Sequence, residues 1–138
     1  MAFTGRCLCG QVSYSASAGP VLSAICHCRN CQRQGGSAFS IIVGVPVGAV
    51  TVNGQRAVFA DTSEAGGTIV RKFCPQCGSP MFSDASAMPE LRYIKAGTLD
   101  DVSTFQPQIE IWRRSAQPWL ELGGDLPRFD ENPPLIGQ

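Results

Sequence analysis

Apolar side chains in this chain fall into short runs separated by Gly, Pro, Asn and Asp. Val12-Ser13-Tyr14-Ser15-Ala16 alternates with a period of two, the mark of a strand with one buried face. Residues 38–45, AFSIIVGV, are more continuously apolar and read as a more fully buried strand. Val50-Thr51-Val52 runs into Asn53-Gly54, a tight-turn signal, and Ala57-Val58-Phe59-Ala60 follows. Residues 68–73, 91–96 and 108–112 supply three later strands. No long segment repeats apolar residues at i, i+3 and i+4, so helix is limited to short turns at 28–34 and 84–88. The pattern predicts a mainly β, single domain over residues 1–127. An extended tail, residues 128–138, follows it in a proline-bearing stretch without periodicity.

Length and charge narrow the class. A chain of 138 residues is long enough for one hydrophobic core. Lys+Arg and Asp+Glu balance at 11 each, which speaks against nucleic acid and anionic membranes as partners. No apolar run approaches the roughly 20 residues needed to span a bilayer. The N-terminus lacks the apolar stretch of a secretion signal, so a reducing, cytoplasmic location is expected.

Seven cysteines then change the picture, because they are grouped. Cys7-Leu8-Cys9 and Cys74-Pro75-Gln76-Cys77-Gly78 are two close pairs. Together they make four thiols, the number that closes a tetrahedral zinc site. Cys7 and Cys9 at i and i+2 would share one face of a strand. Cys74-x-x-Cys77 is a tight knuckle in which Gly78 permits left-handed backbone, so that amides approach the sulfurs. Joining the two pairs across more than 60 residues would tie distant parts of the fold together. An odd cysteine count with no secretion signal argues against disulfides.

Cys26-His27-Cys28-Arg29-Asn30-Cys31 leaves three thiols with no remote partner pair. Three ligands leave a fourth position for water or substrate. An all-thiolate set is a weak generator of hydroxide but suits the binding of a substrate thiol as thiolate, which points to sulfur chemistry. A triplet that is empty, or that oxidises to a disulfide, is the competing reading. His27, the only histidine, alternates with its neighbouring cysteines and should face away from their metal. It is left as a packing or hydrogen-bonding residue ahead of ligand or general base. Arg29, Arg33 and Gln34-Gly35-Gly36-Ser37 flank the triplet and could receive carboxylates, or could be solvated surface and an ordinary turn.

Three segments carry a family resemblance: Gly5-Arg6-Cys7-Leu8-Cys9-Gly10-Gln11-Val12-Ser13-Tyr14, Cys26-His27-Cys28-Arg29-Asn30-Cys31-Gln32-Arg33, and Phe73-Cys74-Pro75-Gln76-Cys77-Gly78-Ser79-Pro80. With Ile109-Glu110-Ile111-Trp112 and Ala116-Gln117-Pro118-Trp119, the chain resembles the glutathione-dependent formaldehyde-activating enzymes up to about Pro127. The resemblance implies an Mss4-like zinc fold, a structural zinc on Cys7, Cys9, Cys74 and Cys77, and a second, catalytic zinc on Cys26, Cys28 and Cys31. It also implies a carbon–sulfur lyase that joins a glutathione-like thiol to formaldehyde or a similar small carbonyl, giving an S-(hydroxymethyl) adduct. Two other classes stay open: a zinc-stabilised binding module with an exposed apolar patch, and a thiol-based redox sensor.

Overall fold

The computed structural model describes residues 2–134. Ten strands and one α-helix follow in chain order: β1 (Phe3–Arg6), β2 (Ser13–Ala16), β3 (Leu22–Cys26), α1 (Arg29–Gly35), β4 (Ser40–Pro46), β5 (Val50–Asn53), β6 (Ala57–Thr62), β7 (Thr68–Phe73), β8 (Pro80–Ala85), β9 (Leu91–Lys95) and β10 (Ile109–Ile111). The protein is therefore mainly β, as the residue pattern predicts.

The strands divide into two sheets. A small sheet has the order β1-β2-β5, and a large one the order β10-β3-β4-β9-β8-β7-β6. Among the described strand pairs β10 runs parallel to β3, and the others are antiparallel. Alternation along each strand gives the large sheet two faces. One face meets the small sheet over a core that includes Val12, Tyr14, Val43, Val45, Met81, Phe82 and Ile94. Tyr14 meets Phe82 edge-on at 5.4 Å between ring centroids and shares a 2.8 Å hydroxyl hydrogen bond with Thr98. Gly5 is required at that point, since a Cβ there would lie 2.1 Å from Tyr14 Oη. The opposite face carries Ile42, Ile69, Arg71, Ser83, Ala85, Tyr93 and Lys95, which line a cavity. One sheet face thus holds the domain together and the other builds a site.

Four local expectations need correction. Cys7 and Cys9 do not lie on a strand. β1 and β2 form an antiparallel pair, so the chain must reverse between Arg6 and Ser13, and Gly10 at φ +83 makes that turn. Cys26 and Cys28 are likewise split, Cys26 ending β3 and Cys28 capping α1. The Asn53-Gly54 turn forms, with Gly54 at φ +95 against the Gln11 carbonyl, but the strands on either side do not pair. β5 joins β2 while β6 joins β7, because the chain crosses between sheets there. The helical turn expected at 84–88 is instead the end of β8 and a tight reversal into β9, with Met88 N bonded to the Ala85 carbonyl. The turn expected at 28–34 is α1 itself. β1, β3 and β8 had no clear signature in the residue pattern.

The C-terminal stretch runs beside the edge strand β10. Glu110 N bonds Pro127 O and Phe129 N bonds Glu110 O, both at 2.9 Å. This covers an edge that would otherwise present unpaired backbone groups. Residues 135–138 of the expected tail lie outside the described residues.

Candidate metal and substrate site

The two close cysteine pairs meet. Cys7 and Cys9 sit in the β1–β2 turn, and Cys74 and Cys77 in the β7–β8 turn, with all four sulfurs within 4.8 Å of one another. Cys7 Sγ lies 3.6 Å from Cys9 Sγ, and Cys9 Sγ 3.7 Å from Cys74 Sγ. A disulfide would need about 2.05 Å. A tetrahedral zinc with bonds of about 2.3 Å has sulfur–sulfur edges of about 3.8 Å, so the spacing fits a metal. Backbone amides support the sulfurs. Val12 N lies 3.3 Å from Cys7 Sγ, and Gln76 N and Cys77 N both lie 3.4 Å from Cys74 Sγ. Gly78, at φ +79, closes the second knuckle as its sequence context predicts. The Ser79 hydroxyl, 3.2 Å from Cys77 Sγ, leads the hydrogen bonds that hold that thiol down to about 5.

The triplet also converges. Cys26, Cys28 and Cys31 place their sulfurs within the same 4.8 Å limit, with Cys26 and Cys31 at 3.6 Å. The local fold explains this. Cys28 is the N-cap of α1, and its sulfur accepts Cys31 N at 3.2 Å, which turns the knuckle inward. Asn30 pins the same helix by donating to both carboxylate oxygens of Asp61 at 3.1 and 3.2 Å and to the Thr62 carbonyl.

Unlike the first cluster, the triplet lines a cavity of about 350 Å³. Arg71 and Lys95 lie on its floor and both are buried. Arg71 pairs with Asp61 at 3.0 Å, while Lys95 donates to Ser40 Oγ at 2.9 Å. Burial pulls the Lys95 ammonium below its usual range, and the nearby cysteine sulfurs oppose that pull. Hydrogen bonding with Cys26 and Cys28 outweighs burial and holds the Cys31 thiol well below the usual range, and the Lys95 and Arg71 charges add to this. Cys26 is correspondingly pushed well up by Cys28 and Cys31.

His27 points away from the cysteines, as alternation predicts. It is fully buried and its Nε2 lies 2.8 Å from Glu110 Oε1. Arg128 and Arg113 reach the same carboxylate at 3.1 and 3.6 Å. His27 is therefore part of a buried polar node that joins the triplet segment to β10 and the C-terminal stretch. Arg29 and Arg33 do not enter the cysteine cavity. With Gln32, Gln117 and Trp119 they line a shallow depression of their own.

The family described as glutathione-dependent formaldehyde-activating enzyme matches residues 2–115, a span that holds all seven cysteines. The chain belongs to this family. Among solved structures, a Rhodobacter sphaeroides protein determined by structural genomics is similar to this family member at a TM-score of 0.59 and 19% identity. The match covers 91% of this chain and 98% of that one, and it speaks to fold alone. The mainly β domain with two cysteine clusters is consistent with the Mss4-like fold, and the clusters fit zinc. No described helix is long and apolar enough to cross a membrane.

Sequence reasoning missed the cavity floor. Arg71, Ser83, Tyr93 and Lys95 come from three strands and have no motif spacing. One signal was present: Arg-Tyr-Ile-Lys puts Tyr93 and Lys95, both polar-tipped, at alternate positions on one face of the strand.

Proposed function

We propose that the protein is a zinc-dependent carbon–sulfur lyase that joins a glutathione-like thiol to formaldehyde or a similar small carbonyl. The observation that carries this reading is the contrast in surroundings. Three sulfurs with metal spacing open on a cavity with buried cations, whereas Cys7 and Cys74 of the four-sulfur cluster are packed in the core between the sheets. Cys7, Cys9, Cys74 and Cys77 would hold a structural ion, and Cys26, Cys28 and Cys31 would hold a second one beside the cavity. When bound there, zinc supplies Lewis acidity that favours the thiolate form of an entering thiol.

The chain's own residues do the rest. Arg71 and Lys95 offset the negative charge that three cysteine thiolates and a substrate thiolate bring together. Ile42, Ile69, Ile111 and Trp112 wall the cavity and exclude water that would compete for the carbonyl carbon. The site brings two small reactants together, the effect expected to dominate in an addition that also proceeds unaided. In that addition the sulfur bonds to carbon, the C=O π pair moves to oxygen, and the proton lost by the thiol balances the one gained by that oxygen.

The test is the rate of S-(hydroxymethyl)glutathione formation above the uncatalysed reaction, followed by NMR with freshly reduced, zinc-loaded protein. Wild type should accelerate it and Cys28→Ser should not. No acceleration by wild type would favour a binding module, for which the exposed Val58 and Phe59 on edge strand β6 are the supporting observation.

A further inference from the structure

Two hydroxyls on the cavity floor have no role in the chemistry so far. Ser83 on β8 and Tyr93 on β9 are direct cross-strand partners, so their side chains leave the same face of the large sheet. Each residue is 5% exposed, and both line the cavity that holds the triplet. Neither Ser83 Oγ nor Tyr93 Oη has a hydrogen-bond partner among the described residues. Buried hydroxyls are normally satisfied, and two left open on one cavity wall mark a place where a ligand can complete them.

The surroundings favour that use. Arg71 is the cross-strand partner of Ser83 on β7, and Lys95 lies two residues beyond Tyr93 on the same face. The Arg71 guanidinium is engaged by Asp61 and the Lys95 ammonium by Ser40, while the two hydroxyls are the neutral donors of this floor that lack any partner among the described residues. Glycine at position 44 gives the Tyr93 ring its place, since a Cβ there would lie 3.1 Å from Tyr93 Cε1. Burial, followed by the Glu90 carboxylate, pushes the Tyr93 phenol up to about 12, so it keeps its proton at neutral pH.

We propose that Tyr93 Oη–H and Ser83 Oγ–H form the oxygen-binding half of the site and donate hydrogen bonds to the carbonyl oxygen of the electrophile. This rests on the reading of the triplet as the thiol half. As the C–S bond forms and the π pair moves to oxygen, the two donors stabilise the developing alkoxide. The alkoxide takes up one proton for the one released by the thiol, so both hydroxyls end the reaction unchanged.

Two tyrosines make the test direct. Protein labelled with 3-fluorotyrosine gives one ¹⁹F signal for Tyr93, assigned by its loss in Tyr93→Phe, and one for Tyr14 in the core as an internal control. Formate, a small oxyanion that does not react with thiols, should shift the Tyr93 signal saturably and leave Tyr14 in place. Ser83→Ala should weaken that titration. In turnover, Tyr93→Phe should lower kcat by about tenfold, the effect of one lost hydrogen bond to an oxygen that becomes charged in the transition state, with the KM for glutathione unchanged. A Tyr93 signal that formate does not move overturns the proposal, whether or not the protein is catalytic. So does a Tyr93→Phe enzyme that keeps the wild-type kcat, or one in which the KM for glutathione rises as well. A formate shift in a protein without turnover keeps the oxygen site and rejects the thiol–carbonyl reading instead.

Discussion

The two cysteine clusters share their construction and differ in what surrounds them. Both use short turns whose amides point at sulfur, and both hold their sulfurs within 4.8 Å. The four-sulfur cluster joins the tips of two hairpins, one from each sheet, and its Cys7 and Cys74 belong to the core between the sheets. The triplet lies on the far face of the large sheet, over a cavity with two buried cations. Both clusters pack buried sulfurs into apolar surroundings, but the triplet also faces a cavity, which leaves room for a ligand. The cysteines themselves do not distinguish these roles; their neighbours do.

The comparison breaks most readily at the four-sulfur cluster. Cys74→Ser should remove the cooperative thermal transition seen by circular dichroism, because zinc binding of this kind contributes on the order of 10 kcal/mol to folding. Cys28→Ser should lose turnover and one equivalent of zinc by elemental analysis while keeping that transition. Equal loss of fold in the two variants would erase the distinction between the clusters.

The next effect concerns what holds the triplet in place. Glu110 is fully buried among His27, Arg113 and Arg128. Glu110→Ala leaves those groups without their counter-ion and should cost about 3–5 kcal/mol in denaturant unfolding. It should also raise proteolysis after residue 113, where the C-terminal stretch loses its anchor. On the other face, Gly5→Ala forces a methyl group into Tyr14 and should cost about 1–3 kcal/mol, with zinc content at the triplet unchanged.

The smallest effect is electrostatic. Burial alone would raise the Asp84 carboxyl, but hydrogen bonds from Arg92 and Lys72 outweigh it and hold the group below its usual 3.8. A carboxyl lowered in the folded state adds stability above its unfolded value and loses it as pH falls through the folded value. Stability should therefore decline below about pH 4 in wild type. That part of the decline should be missing in Asp84→Asn, whose cost at neutral pH stays within about 1 kcal/mol because the pair is partly exposed. A full acid limb in the variant would show that Asp84 carries none of it.

Much of the site was legible because cysteine spacing is local. Cys-x-x-Cys followed by glycine forms the same knuckle in almost any setting, and the alternation around His27 already turns its ring away from the metal side. The strand assignment of Cys7 and Cys9 failed because two thiols at i and i+2 can also converge across a tight turn. The apolar pattern found β2, β4 and β9, whose two faces differ or are uniformly apolar. It missed β1, β3 and β8, where polar residues such as Ser23 and Ser83 are buried.

The sequence by itself determined the grouping of the cysteines into two close pairs and a triplet, and the mainly β class, since both rest on residue type and short-range spacing. Only the tertiary structure decided that Cys7 and Cys9 meet Cys74 and Cys77, that Glu110 is the partner of His27, and that Arg71, Ser83, Tyr93 and Lys95 share one floor. Those contacts depend on strand order and register, and the order β4-β9-β8-β7 brings together residues that no local period relates.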